Sequence, residues 1–99
     1  ITLSKPKGKI IVDEGAKKAV EEKRSLLPSG ILKVEGEFES GDIVEINYNQ
    51  NTFAKGITNY SNKELDKIKG KKTDEIEPIL GYKNYNEIIK NENIGLIKK

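Results

Sequence analysis

The spacing of apolar residues divides this chain into a strand and helix, then a run of strands, then a helical C-terminal third. Residues 9–12 form a β-branched run after Gly8, which predicts a short first strand. Asp13 stands where a helix N-cap belongs, with Glu14 behind it, and the segment closes on Lys23 and Arg24. Acid at the start and base at the end is the order the helix dipole favours. Ala16, Ala19, Val20 and Lys23 fall at helical spacing and give a narrow apolar stripe ending in a Lys stem. Leu26-Leu27-Pro28-Ser29-Gly30 stops the helix and turns the chain.

From Ile31 to Tyr60 the pattern is that of strands. They are expected over 31–35, 42–48 and 52–58, separated by turn chemistry at Glu39-Ser40-Gly41 and Asn49-Gln50-Asn51. Val44, Ile46 and Tyr48 alternate with Glu45 and Asn47, which predicts one buried face and one wet face. Ala54 and Gly56 are small, and in a compact barrel such positions let another backbone approach closely. Ser61-Asn62-Lys63-Glu64 is a capping box opening a short helix through Leu65 and Ile68, closed by Gly70. A second helical segment is expected over 73–80. Pro78 lacks the N–H that a helix interior needs, so that segment requires a late helix start. Asn84-Tyr85-Asn86-Glu87 has the form of another capping box, leading into Ile88 and Ile89, and a last strand is expected over 94–97. Residues 1–7 read as a linker, 8–97 as one domain and 98–99 as a tail.

Composition narrows the chemistry. Ninety-nine residues suit a single domain, and a 34% hydrophobic content beside 34% charged residues reads as a small core under a solvated surface. With no His and no Cys there is no Ser-His-Asp triad, no Cys nucleophile, no His/Cys metal site and no disulfide framework. A metal could sit only on oxygen ligands, and none cluster at the spacing of a calcium loop. Apolar runs fall far short of the roughly 20 residues needed to span a bilayer, and no signal peptide is visible. A cytoplasmic setting without a membrane partner is expected. The chain begins at Ile1 and contains no Met, so it reads as processed or as part of a longer protein.

Eighteen basic and 16 acidic residues leave a net charge of +2, too near balance to diagnose a nucleic-acid binder. Residues 1–28 carry a basic excess and residues 29–60 an acidic one, so any basic face must draw on the first helix and the chain ends. Arg24 is the sole arginine, which leaves few of the bidentate contacts that favour phosphate or guanine.

Four features could carry chemistry. Gly70-Lys71-Lys72-Thr73 glances at the end of a phosphate-binding loop, but an extra Lys intervenes and residue 65 is Leu where that motif needs Gly. Asp13-Glu14 and Asp74-Glu75 are adjacent carboxylates at expected helix starts, where they complement the dipole without acid–base work. Lys17 and Lys18 could contact phosphate, yet Glu21 and Glu22 stand four residues on, as on an ordinary solvated helix face. Tyr48, Tyr60, Tyr82 and Tyr85 are not interleaved with basic clusters as a base-stacking platform would be.

At Ser25-Leu-Leu-Pro-Ser-Gly-Ile, Gly36-Glu-Phe, Gly41-Asp-Ile-Val-Glu-Ile and Ala54-Lys-Gly-Ile-Thr-Asn-Tyr-Ser the chain resembles a PUA domain. Asp13-Glu-Gly-Ala, Lys72-Thr-Asp-Glu-Ile and Ile79-Leu-Gly-Tyr narrow the likeness to the C-terminal PUA domains of bacterial glutamate 5-kinases. The resemblance implies an α+β, mainly β fold: a mixed pseudo-barrel with short flanking helices. It also implies that catalysis belongs to an N-terminal amino acid kinase domain, which would bind ATP, Mg²⁺ and glutamate. No catalytic, cofactor or metal residue carries over to this chain.

Two roles follow for the domain itself. One is accessory and regulatory, through contacts with that kinase domain or between subunits of a homo-oligomer. The alternative is RNA binding, as in other PUA domains, which would place Gly15, Lys17, Lys18, Lys23, Arg24 and Lys33 on the binding face. Near-neutral charge and a single Arg favour the first, because affinity for a polyanion grows with the phosphates neutralised.

Overall fold

A computed structural model describes residues 5–97, so residues 1–4 of the expected linker and the expected tail at 98–99 lie outside the described residues. Strand β1 (Gly8–Val12) runs antiparallel to β2 (Ile31–Gly36) on one side and parallel to β3 (Ile43–Tyr48) on the other. β3 continues antiparallel to β4 (Asn51–Ile57), and β4 to β5 (Ile94–Leu96), giving a mixed sheet in the order β2-β1-β3-β4-β5. The segments that lead into the two edge strands meet in an isolated antiparallel bridge between Leu26 and Ile89, which draws the sheet toward a barrel. The expected fold class is the observed one.

The core lies on the inner face of this sheet. Ile10, Val12, Val44, Ile46 and Ala54 supply it from the strands, and Leu65, Ile68 and Ile76 cover it from helices α2 (Asn62–Ile68) and α3 (Ile76–Leu80). Each buried Ile or Leu contributes about 1.5–3 kcal/mol relative to an exposed one. Gly56 is where another backbone comes close: a Cβ there would stand 3.0 Å from the Asn93 carbonyl oxygen and 2.9 Å from Ile89 Cγ2.

Two bulges break the expected alternation. Pairing slips between Ile46 and Asn47, leaving Phe53 of β4 without a partner on β3. The slip sets Thr52 opposite Asn47, whose Oδ1 accepts from the Thr52 hydroxyl; Asn47 is buried while Tyr48 is only half-buried, so the wet face expected for Asn47 is not observed. A second slip between Ile11 and Val12 leaves Leu32 of β2 without a partner on β1, and it is 59% exposed.

Local capping held where nothing competed with it. Asp13 Oδ1 accepts the Ala16 N–H at 2.8 Å and starts helix α1 (Glu14–Glu21). In the Ser61 box, Ser61 Oγ accepts the Glu64 N–H while Glu64 returns a carboxylate oxygen to the Ser61 N–H. Helix α1 ends earlier than expected. Lys23 takes φ +69 and the Arg24 N–H returns to the Ala19 carbonyl, so both basic residues lie beyond the helix rather than in its last turn. The segment over 73–80 splits into a 3₁₀ turn (Thr73–Glu75) and α3, whose late start places Pro78 in its first turn.

The helical turn expected after Asn84 does not form. Ile88 donates its N–H to the Leu26 carbonyl at 2.8 Å, Leu26 donates to the Ile89 carbonyl at 2.9 Å, and Asn59 donates to the Ile88 carbonyl. Both isoleucines are fully buried, and the long-range backbone partners displace the local cap.

Candidate nucleic-acid interface

Helix α1 and the 3₁₀ turn Pro28–Gly30 enclose a cleft of about 260 Å³ at the β1–α1 junction. Asp13, Gly15, Ala16 and Ala19 line it from α1 and its N-cap, and Leu26, Leu27, Ser29 and Gly30 from the segment that follows. The wall spacing depends on backbone contact. Asp13 donates its N–H to the Gly30 carbonyl at 2.9 Å, and a Cβ on Gly30 would stand 2.4 Å from the Ala16 Cβ. Gly70 donates its N–H to the Pro28 carbonyl and fastens the end of α2 to the same turn.

The six residues expected on a binding face are not equivalent. Gly15 is exposed on the lip of the cleft. Lys17 turns away from it: its ammonium lies 5.4 Å from the Tyr48 ring centre and 5.7 Å from that of Phe53, and it pairs with Glu21 at 3.0 Å. Arg24 pairs with Glu22 at 3.4 Å and Lys33 with Glu35 at 3.3 Å, both on the surface. Lys18 and Lys23 are exposed and, among the described residues, make no ion pair. Exposed pairs of this kind are worth only about 0–1 kcal/mol, yet each carboxylate offsets its neighbour's field toward a polyanion.

The other sequence features have structural roles. Gly70 adopts φ +76 directly after the C-cap of α2, and the Lys72 N–H donates to Glu75 Oε1 at 3.0 Å. Asp13 is occupied as the α1 cap. Among the described residues no group of three or more acidic side chains could hold a metal ion. No described helix is long and apolar enough to cross a membrane.

Sequence reading missed a tyrosine strap outside the cleft. The buried Tyr60 hydroxyl donates to the Tyr85 carbonyl and accepts the Tyr85 N–H at 3.0 Å, with the two rings edge to face at 6.1 Å. Tyr82 donates its hydroxyl to Glu64 Oε2. Burial pushes the Tyr60 phenol above its ordinary pKa, and the hydrogen bond to Glu64 does the same for Tyr82. Partners 18 and 25 residues apart leave no local signal. For the cleft a signal did exist, because Leu26, Leu27, Ser29 and Gly30 all belong to the Leu-Leu-Pro-Ser-Gly motif.

The profile of the PUA domain family matches residues 8–80. The chain belongs to the PUA domain family. The match covers α1, the 3₁₀ turn and the four longer strands, and so contains the whole cleft. Among solved structures, a PUA domain from Aeropyrum pernix K1 in complex with tartrate is 32% identical over 62% of this chain and 34% of its own, with a TM-score of 0.60. An archaeal box H/ACA sRNP Nop10–Cbf5 complex aligns with 92% of this chain and 23% of its own at a TM-score of 0.59; at 21% identity it shares the fold alone.

Curated relatives are closer in sequence. The glutamate 5-kinase of Methanosarcina mazei is 52% identical over 99 residues, that of Methanosarcina barkeri 55% over 98, and that of Kosmotoga olearia 50% over 93. This PUA domain corresponds to their C-terminal region and spans about 26% of their length.

Proposed function

We propose that this PUA domain is the non-catalytic accessory domain of a glutamate 5-kinase polypeptide, an enzyme that phosphorylates the glutamate γ-carboxyl from ATP at the first step of proline biosynthesis. The observation that carries this reading is 52–55% identity to three Methanosarcina glutamate 5-kinases, kept over 98 or more residues. The fold itself needs far less, since 21% identity suffices to preserve it. Identity that extends across surface as well as core supports a shared context and not only a shared architecture.

On this reading an amino acid kinase domain ahead of residue 8 binds ATP, Mg²⁺ and glutamate, and residues 1–7 link it to the PUA domain. The domain acts through contacts with that kinase domain or between subunits of a homo-oligomer, in the cytoplasm. RNA binding through Gly15, Lys17, Lys18, Lys23, Arg24 and Lys33 is the weaker reading, because carboxylates engage three of the five cations.

An ATP and glutamate phosphotransfer assay tests the proposal on three proteins: the full polypeptide, the polypeptide ending at residue 7, and the 99-residue chain alone. Activity is expected in the first and absent in the last, with the truncated polypeptide active but altered in its regulation or assembly. A full polypeptide with no such activity would refute the assignment.

A further inference from the structure

The outer face of the sheet changes character from one row of paired residues to the next. Strand register sets Glu35, Lys9, Glu45 and Lys55 side by side across four strands, with charges of alternating sign. Opposed residues in paired strands project from the same face, so this row presents an evenly mixed charged surface to water. Two residues further along, the row contains the cross-strand pair Ile43 and Ile57. Ile57 is 41% exposed and Ile43 half-buried beside it, an apolar step bordering a charged row.

That step lies where the preceding polypeptide joins the domain. The Lys7 N–H donates to the Ile43 carbonyl at 2.8 Å, so chain arriving ahead of β1 passes directly along Ile43. The α1 cleft is at the far end of β1, beyond Val12. Relatives that match this chain are about four times its length and match it through their C-terminal region, so the bulk of such a polypeptide reaches the domain through this one junction. Leu32, the most exposed large apolar side chain among the described residues, is on the β2 edge.

We infer that the Ile43–Ile57 strip is the seat for the module preceding residue 8 in the same polypeptide, which covers it with an apolar patch of its own. The inference rests on the reading of this domain as the C-terminal part of a longer polypeptide. An apolar pair beside a covalent tether needs only a small matching surface, because the tether makes the contact intramolecular. The module therefore packs on the outer sheet face and leaves the α1 cleft open.

Hydroxyl-radical footprinting of the unmodified full polypeptide compares two aliphatic side chains of similar intrinsic reactivity, Ile57 and Leu32. Ile57 is expected to oxidise about fivefold more slowly than Leu32, as for a residue inside a water-excluding contact. An Ile57→Asp variant of the same polypeptide should bring Ile43 oxidation up severalfold. Comparable rates for Ile57 and Leu32 would overturn the inference. So would protection that disappears on dilution, which would assign the strip to a second copy of the chain. The phosphotransfer assay on the same preparation separates the two readings. An active enzyme with unprotected Ile57 overturns the docking seat alone, whereas protected Ile57 in an inactive polypeptide upholds the seat and overturns the kinase assignment.

Discussion

Gly30 and Ala16 meet so closely that the α1 helix and the Pro28–Gly30 turn admit no side chain between them: a Cβ on Gly30 would lie 2.4 Å from the Ala16 Cβ. Ala16 cannot yield without moving α1, whose first turn is capped by Asp13 at 2.8 Å. This one contact sets the width of the cleft and joins the fold to its candidate site.

Gly30→Ala should destabilise the domain by about 1–3 kcal/mol, the usual cost of forcing an extra methyl into a packed contact. Ala16→Gly in the same chain should recover part of that loss despite the lower helix propensity of Gly. Urea unfolding of the two single variants and the double variant measures the coupling. Strictly additive effects would mean that the contact does not constrain α1.

Gly41 presents the opposite case. It adopts φ +96 with nothing within 4 Å of its missing Cβ, so only backbone strain opposes a side chain there. Gly41→Val should cost about 1–3 kcal/mol. Gly95→Ala, also in open space but without a positive φ, should have little effect. Equal melting temperatures for the Gly41 variant and the parent would argue against the turn geometry before Asp42.

Alkaline pH should weaken the fold through Tyr60. Burial raises its phenol pKa above the ordinary value of 10.0, so above pH 10 the unfolded chain releases a proton that the folded one keeps. Its contribution is fully present below pH 10 and is lost as pH rises through the folded-state value. Tyr82, held by Glu64, acts in the same direction. Tyr60→Phe should flatten the pH dependence above about pH 10 and lower stability at pH 8 by about 1–3 kcal/mol, since it strands the Tyr85 backbone groups. Unfolding free energies measured across that range in both proteins decide it.

Structured RNA should bind weakly. Of the five cations on the candidate face, Lys18 and Lys23 make no ion pair among the described residues, which predicts a slope of log K against log salt near −2 or shallower, at roughly −0.7 to −0.9 per phosphate. A dissociation constant of about 10 μM or looser is expected at physiological salt, well short of a specific nucleic-acid complex. Titration of the parent and a Lys17→Glu/Lys18→Glu double variant at two salt concentrations checks this. Submicromolar binding that collapses in the variant would make RNA recognition the domain's leading role.

Much of the architecture was legible in the residues because its signals are local. Asp13 and Ser61 cap their helices with backbone groups three residues away, and Gly41 and Gly70 mark turns through a conformation that glycine enters without strain. The β-branched runs and the Leu-Leu-Pro-Ser-Gly motif were sufficient to place the strands and the turn beside the cleft. Other outcomes depended on partners distant in sequence. Asn84–Glu87 has a cap's composition, but Leu26 and Asn59 supply backbone partners for Ile88 and Ile89, and burying two isoleucines outweighs one helical turn. Asn47 keeps the face of Glu45 but is buried there, because the slip at Phe53 sets Thr52 opposite it and the Thr52 hydroxyl donates to its Oδ1. Lys17 reads as a surface cation in sequence and becomes a bridge between Glu21 and two aromatic rings only once α1 lies over the end of β3 and β4. Local hydrogen bonding and backbone sterics can be read from a few neighbouring residues, whereas burial, register and the pairing of charges exist only after the sheet has brought distant segments together.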